Sequence, residues 1–132
     1  MSHEIPEATP KPKSLIAPFG YALQGLAWAW QSQRNVKIHS VIALSVVMAG
    51  LLLHLATWEW AIVGLLIGGM LAIECLNTAI EATVDLVCGG EFHPLAKAAK
   101  DVAAGACLLW ALTSVAVGLL IFWPKLWTLF KQ

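Results

Sequence analysis

A stripe of four polar side chains interrupts an otherwise apolar stretch in the middle of the sequence. Glu74, Asn77, Glu81 and Asp85 are separated by three, four and four residues. Because a helix turns by about 100° per residue, these side chains share one face of a helix. Carboxylate and amide oxygens can bind a divalent cation, and a carboxylate can act as a general base. The spacing therefore predicts an acid-rich site on one helix.

A second charged group follows at helical spacing. Lys97, Lys100 and Asp101 lie at positions i, i+3 and i+4, so they form one face of the next helix. A lysine ammonium group can bind phosphate oxygens. The alternative for each charge from Glu81 onward is a solvated group at a helix end. The alternative for Glu74 and Asn77 is a buried polar pair that joins helices.

The composition decides where such helices can lie. Of the 132 residues, 59% are hydrophobic and only 12% are charged, whereas a typical soluble domain carries about 25% charged residues. This excludes a soluble globule, and the high hydrophobicity excludes a disordered chain. Eight basic and eight acidic residues cancel, so no nucleic-acid partner is expected. Since one span needs about 20 apolar residues, the chain has room for three or four spans.

The pattern along the chain predicts an all-α membrane protein in one domain, residues 14–124. A tight turn is expected at 57–60, a helix end at Gly89-Gly90 and a helix start at His93-Pro94. The elements in order are a mobile polar tail (1–13), an amphipathic surface helix (14–33), three transmembrane helices (about 38–56, 60–81 and 102–123) and a C-terminal tail (125–132).

The depth of the acidic stripe follows from helix geometry. Glu74 comes 15 residues after Glu59, about 22 Å along a helix, which places it inside a hydrocarbon core of about 30 Å but near one boundary. A charge at that depth costs about 2.5–3.5 kcal/mol, which favours a functional role. Six basic residues flank this side and two the other. The N-terminus and the 86–100 loop are therefore predicted to face the cytoplasm.

At these residues the sequence resembles the small prokaryotic diacylglycerol kinase family. The string Glu74-Cys-Leu-Asn77-Thr-Ala-Ile-Glu81-Ala-Thr-Val-Asp85 is similar to the first conserved box of the family, and Lys97-Ala-Ala-Lys100-Asp101-Val-Ala-Ala-Gly105 to the second. The resemblance runs from about Phe19 to Pro124. The string His93-Pro94-Leu95-Ala96-Lys97, with Arg34-Asn35 and His39 upstream, is more similar to the Gram-positive branch, which includes undecaprenol kinases.

This resemblance implies phosphoryl transfer from MgATP to the hydroxyl of a membrane lipid, in a homotrimer whose active sites are shared between subunits. It also implies that the protein lies in the bacterial inner membrane. In the family pattern Glu74 matches the general base, Asn77 its hydrogen-bonding companion and Glu81 a ligand of Mg²⁺. The positions that match nucleotide and phosphate contacts are Asp85, Lys100 and Asp101, with Tyr21 on the surface helix that covers the nucleotide.

One position departs from the family pattern. Gln33 stands where the resemblance implies a glutamate that is a second metal ligand, and glutamine offers a carbonyl oxygen without the negative charge. We expect a lipid kinase, with undecaprenol slightly favoured over diacylglycerol as the acceptor. The alternatives are a diacylglycerol kinase that makes phosphatidic acid and a catalytically weakened subunit. An ion or proton translocator is disfavoured because the acidic stripe ends about halfway across the membrane.

Overall fold

The computed structural model describes residues 16–131, and the regular secondary structure in this range is entirely helical. As predicted, three of the helices are long and apolar enough to cross a membrane. The tail expected at 1–13 lies outside the described residues. The helices are α1 (Ala17–Ser32), α2 (Arg34–Leu52), α3 (Thr57–Cys88) and α4 (Pro94–Phe130).

A single residue separates α1 from α2. Gln33 has an extended backbone, with φ −106° and ψ 121°, and its N–H donates to the carbonyl of Ala29 at 2.9 Å. This contact completes the last turn of α1 before the chain changes direction. Gln33 is half-buried at this junction, which places a predicted metal ligand between the two helices.

The turn between α2 and α3 comes earlier than the sequence pattern indicates. We expected a tight turn at 57–60, but that prediction is wrong: the turn covers 53–56 and α3 begins at Thr57. The reason is Glu59, whose carboxylate accepts from the backbone N–H of Ala56 at 2.6 Å and contacts Lys125 Nζ at 2.8 Å. An acidic side chain in the first helical turn satisfies a free donor and favours helix formation.

The connection between α3 and α4 follows the sequence signals. Helix α3 ends at Cys88, and Gly89 adopts the left-handed conformation with φ +57°, which glycine tolerates without a steric penalty. At the start of α4, His93 Nδ1 accepts from the backbone N–H of Leu95 at 3.2 Å. Pro94 in the first turn needs no hydrogen-bond partner for its nitrogen. These two helix ends hold the charged residues of α3 and α4 close together.

Helix α4 extends further than the predicted span of 102–123. It passes through Pro124 and ends at Phe130, so most of the segment expected as a tail is helical. A proline inside a helix removes one backbone hydrogen bond. Contacts on both sides favour continuation here, because Lys125 contacts Glu59 of α3 and the rings of Trp123 and Trp127 stack with centroids 6.2 Å apart.

Helices α3 and α4 pack antiparallel along most of their length. Trp110 Nε1 donates to the carbonyl of Leu66 at 2.9 Å, and the indole ring lies directly on Gly69. A Cβ atom at Gly69 would come within 2.1 Å of Trp110 Cζ2. The absence of a side chain at this position therefore lets the two helices approach.

The outer faces of the three long helices expose large apolar side chains. Leu44 on α2, Leu65 on α3 and Leu109 on α4 each expose more than half of their surface in the single chain. An interior cluster of Leu55, Val63 and Ile121 lies near the α2–α3 turn. Such an apolar exterior is the surface expected of helices surrounded by lipid or by neighbouring membrane helices.

Candidate active site

The acidic stripe lies on the inward face of α3. Glu74 is 3% exposed and Asn77 is 8% exposed, while Glu81 one turn further on is half-buried. Asn77 Nδ2 donates to Glu81 Oε1 at 3.1 Å. Asn77 and Glu81 are thus joined directly, while Glu74 lies buried one turn before them. The exposed Asp85 one turn after them contacts Lys100.

Asn77 keeps one free polar atom in this stripe. Among the described residues, its Oδ1 has no hydrogen-bond partner although it is shielded from solvent. A buried carbonyl oxygen without a partner costs about 1–3 kcal/mol. The side chain can therefore accept a hydrogen bond from a ligand that enters the site.

Helix α2 contributes a residue that sequence reasoning did not assign to the site. His39 Nε2 lies 3.3 Å from Glu74 Oε1, and the imidazole side chain is 22% exposed. The sequence places His39 near a predicted end of the first span, where contact with water is expected. An ionisable side chain at the end of a span could have suggested a role in the site. Its contact with Glu74 was not predictable, because residue spacing does not show how α2 is rotated against α3.

The charged residues of α3 and α4 meet at the connection between these helices. Lys100 Nζ lies 2.6 Å from Asp85 Oδ1, and Lys97 forms an ion pair with Asp101 on α4 itself. All four side chains are at least one-third exposed. The structure therefore brings together two ammonium groups and two carboxylates within reach of water.

Two predicted site residues stand apart from this group. Tyr21 is 63% exposed on α1, and the Gln33 side chain is half-buried at the α1–α2 junction. Within residues 16–131, no hydrogen bond or ion pair joins either side chain to the acidic stripe of the same chain. Neither side chain therefore belongs to the hydrogen-bonded and ion-paired groups of α3 and α4 within the described residues.

The residues of the stripe fit a divalent cation only as a partial ligand set. In the part of the chain that the structure describes, no three His, Cys, Asp or Glu side chains cluster as a metal site. Mg²⁺ in phosphoryl-transfer sites is commonly held by one or two carboxylates together with substrate phosphates and water. The Glu81 carboxylate beside the unpartnered Asn77 Oδ1 supplies oxygen donors of the correct type for such a site.

An apolar groove runs from His39 along the side of the bundle. It has a volume of about 350 Å³ and lies among α2, α3 and α4. Its lining includes Val46, Met70, Val115 and Phe122, so nearly all of its surface is hydrocarbon. His39 both lines the groove and contacts Glu74, so this end of the groove is one side chain away from the acidic stripe.

Comparison with known proteins matches most of the chain. The family model described as prokaryotic diacylglycerol kinase matches residues 20–122. The chain is 50% identical over 108 residues to undecaprenol kinase of Bacillus subtilis, which covers 82% of this chain and 87% of that protein. It is 42% identical over 116 residues to diacylglycerol kinase of Synechocystis sp., covering 88% of this chain and 66% of that protein. Diacylglycerol kinase of Helicobacter pylori is 32% identical over 124 residues, an alignment that covers 94% of this chain and 89% of that protein.

Proposed function

The chain belongs to the prokaryotic diacylglycerol kinase family and is a membrane lipid kinase, and from this premise we propose that it transfers the γ-phosphate of ATP to undecaprenol. The observation that carries the choice of lipid is the 50% identity to an undecaprenol kinase, against 42% and 32% to two diacylglycerol kinases. Diacylglycerol is the alternative acceptor.

Glu74 is the proposed general base for the lipid hydroxyl. Its carboxylate is almost completely buried and contacts His39, which lines the apolar groove. The hydroxyl end of a lipid in the groove is proposed to reach the carboxylate past this side chain. The unpartnered Oδ1 of Asn77 one turn away can accept the hydroxyl hydrogen bond as the lipid enters, before the proton is directed to Glu74. These two side chains would orient the nucleophile, which supplies much of the acceleration in phosphoryl transfer.

Glu81 is the proposed Mg²⁺ ligand on this chain. Asn77 holds one of its carboxylate oxygens, and the half-exposed side chain can share the ion with the phosphate oxygens of ATP. Bound Mg²⁺ would neutralise charge that develops on the transferred phosphoryl group. Gln33 is proposed as a second, weaker ligand through its amide oxygen.

ATP is proposed to bind at the junction of α3 and α4. Lys100 offers a positive charge for phosphate oxygens, and its contact with Asp85 fixes it at the end of the helix pair. Asp101 and Tyr21 complete the proposed nucleotide contacts. ATP can approach these groups from water, whereas the lipid approaches Glu74 from the bilayer.

The proposed reaction breaks and forms one bond at phosphorus. The lipid hydroxyl oxygen bonds to the γ-phosphorus while the bond from that phosphorus to the β–γ bridging oxygen breaks. The hydroxyl proton passes to Glu74, and ADP leaves with the bonding electron pair. The products are ADP and the lipid monophosphate.

The hydrocarbon part of the lipid is proposed to lie in the apolar groove. The groove begins beside His39, which contacts Glu74, and follows α2 and α4 towards Phe122, so a chain whose hydroxyl reaches the base would extend into it. The groove suits the hydrocarbon of either lipid, and the choice of undecaprenol rests on the sequence identities.

We further propose that three chains assemble with shared sites, and that the α3–α4 connection faces the cytoplasm. The apolar outer faces of α2, α3 and α4 supply surface for contact with other subunits. Tyr21 and Gln33 make no hydrogen bond with the acidic stripe of their own chain within the described range, which suits a contribution to a neighbour's site. The excess of Lys and Arg on the α3–α4 side supports the orientation.

The proposal is tested by phosphate transfer from labelled MgATP in mixed micelles that contain undecaprenol or diacylglycerol. Wild-type protein should label undecaprenol, and Glu74→Gln should reduce kcat by at least about 100-fold while the oligomer still assembles. Lys131→Met, at the far end of α4, is the matched control and should retain wild-type activity. An assembled wild-type protein that labels neither lipid would support the weakened-subunit alternative.

A further inference from the structure

We propose that His39 is a positioning residue for Glu74: its imidazole donates from Nε2 to Oε1 and so holds the carboxylate in place for the lipid hydroxyl. The inference rests on the proposed function, since it assigns a partner to the proposed base. Its basis is the 3.3 Å separation between the two atoms, one on α2 and one on α3.

The surroundings of Glu74 make a hydrogen-bond donor necessary. The residue is 3% exposed, and an isolated carboxylate in apolar surroundings is strongly disfavoured relative to the neutral acid. A base must be ionised to accept a proton. A donor that contacts the charged form stabilises it, and an ionised acceptor makes the hydrogen bond stronger than a neutral one.

His39 is the nitrogen donor to this carboxylate among residues 16–131. From α4 the Cys107 thiol also faces Glu74 within hydrogen-bond reach, and its Sγ lies 3.9 Å from the carbonyl of Ile73. A thiol is a weak donor, whereas an imidazole N–H is a strong one. On α3 itself, Asn77 donates to Glu81 and not to Glu74. The imidazole is therefore the stronger of the two donors that face the carboxylate.

His39 also lies between the base and the apolar groove. Its Nε2 contacts Oε1 of Glu74, and a carboxylate has lone pairs on both oxygens. The same imidazole lines the apolar groove. The carboxylate can then accept a proton from a hydroxyl that is delivered along the groove to His39.

Two substitutions separate positioning from simple packing. His39→Leu removes the donor, whereas His39→Gln retains an N–H donor on a side chain of similar reach. His54→Asn is the control, because His54 is exposed in the 53–56 turn and its positive φ of 50° is tolerated by asparagine. Initial rates would be measured for each variant in micelles, with the lipid and ATP varied separately.

We expect His39→Leu to lower kcat by about 100-fold with little change in the KM for ATP. His39→Gln should recover at least about 10-fold in kcat, and His54→Asn should match the wild type. A His39→Leu enzyme with near-normal kcat, or one whose reduced kcat is not recovered in His39→Gln, would overturn the inference.

A spectroscopic readout distinguishes failure of this inference from failure of the proposed function. In protein labelled with ¹⁵N-histidine, the His39 imidazole resonance is identified by its absence in His39→Gln. It should shift in Glu74→Gln if the two side chains are bonded, and an unchanged resonance would overturn the pairing without any kinase assay. If the resonance shifts but wild-type protein phosphorylates neither lipid, the proposed function fails, and the positioning role fails with it.

Discussion

Lys100 Nζ and Asp85 Oδ1 are 2.6 Å apart, although fifteen residues separate them in the chain. The contact joins the last turn of α3 to the second turn of α4 across a connection of five residues, 89–93. It places a positive charge beside the carboxylates of the stripe, at the end of the helix pair that water can reach. The proposed nucleotide site at the connection between α3 and α4 rests on this contact, which substitution of Lys100 can test.

Replacing Lys100 with methionine should weaken the use of ATP. The change removes a charge that is proposed to bind phosphate oxygens, and a hydrogen bond to a charged group contributes about 1.5–3 kcal/mol. We expect the KM for ATP to rise by at least about 10-fold while the KM for the lipid changes little. Lys131→Met serves as the control on the same helix, and an unchanged KM for ATP in Lys100→Met would contradict the assignment.

Introducing a carboxylate at Gln33 should lower the Mg²⁺ requirement. The substitution Gln33→Glu restores the residue type implied by the family resemblance and adds a negative charge, which hard divalent cations prefer over a neutral amide. We expect activity at limiting Mg²⁺ to rise and activity at saturating Mg²⁺ to be kept. The measurement is a Mg²⁺ titration of initial rate at fixed ATP. A loss of activity at every Mg²⁺ concentration would mean that glutamine is adapted to this site.

A methyl group at Gly69 should destabilise the α3–α4 pair. Trp110 leaves no space for a Cβ at Gly69, whereas a Cβ at Gly68 would meet no other atom of the described residues within 4 Å outside its own stretch of helix. We expect Gly69→Ala to lose about 1–3 kcal/mol relative to Gly68→Ala, which gains helix propensity without the clash. Thermal unfolding in detergent compares the two. Combining Gly69→Ala with Trp110→Phe should recover part of the loss, and equal stability of the two alanine variants would refute the close contact.

Breaking the contact between Glu59 and Lys125 should loosen the opposite end of the same helix pair. Lys125→Met leaves the buried Glu59 carboxylate with only the Ala56 N–H as a partner. Removing one member of a buried ion pair is destabilising because the other charge stays desolvated. We expect a lower unfolding temperature for Lys125→Met than for Lys131→Met, and less loss when Glu59→Gln is combined with it. A double variant that is worse than both single variants would contradict this pairing.

The sequence was sufficient to predict the parts of the site that belong to one helix or to adjacent helix ends. The spacing of Glu74, Asn77 and Glu81 gives their shared face, because helix periodicity is a local property. The meeting of Asp85 and Lys100 follows from glycine and proline signals that fix where α3 ends and α4 begins. Composition and length allow three or four spans, and the apolar pattern along the chain predicts three.

Contacts between helices distant in sequence were not predictable in the same way. His39 contacts Glu74 because the face of α2 that carries His39 is turned towards α3. The spacing of residues along α2 does not show which of its faces packs against α3. The start of α3 at Thr57 depends on Glu59 meeting Lys125 from α4, a contact across more than sixty residues of the printed sequence. The sequence pattern therefore predicted a turn at 57–60, whereas in the structure the turn covers 53–56 and residues 57–60 belong to α3.

The most direct test of the account is a competition between the two lipids in one preparation. Purified protein in mixed micelles with equal amounts of undecaprenol and diacylglycerol receives labelled MgATP, and the two phosphorylated lipids are separated and counted. The account predicts that most of the label is in undecaprenyl phosphate and that Glu74→Gln yields neither product. Label found mainly in phosphatidic acid, or transfer that persists in Glu74→Gln, would contradict it.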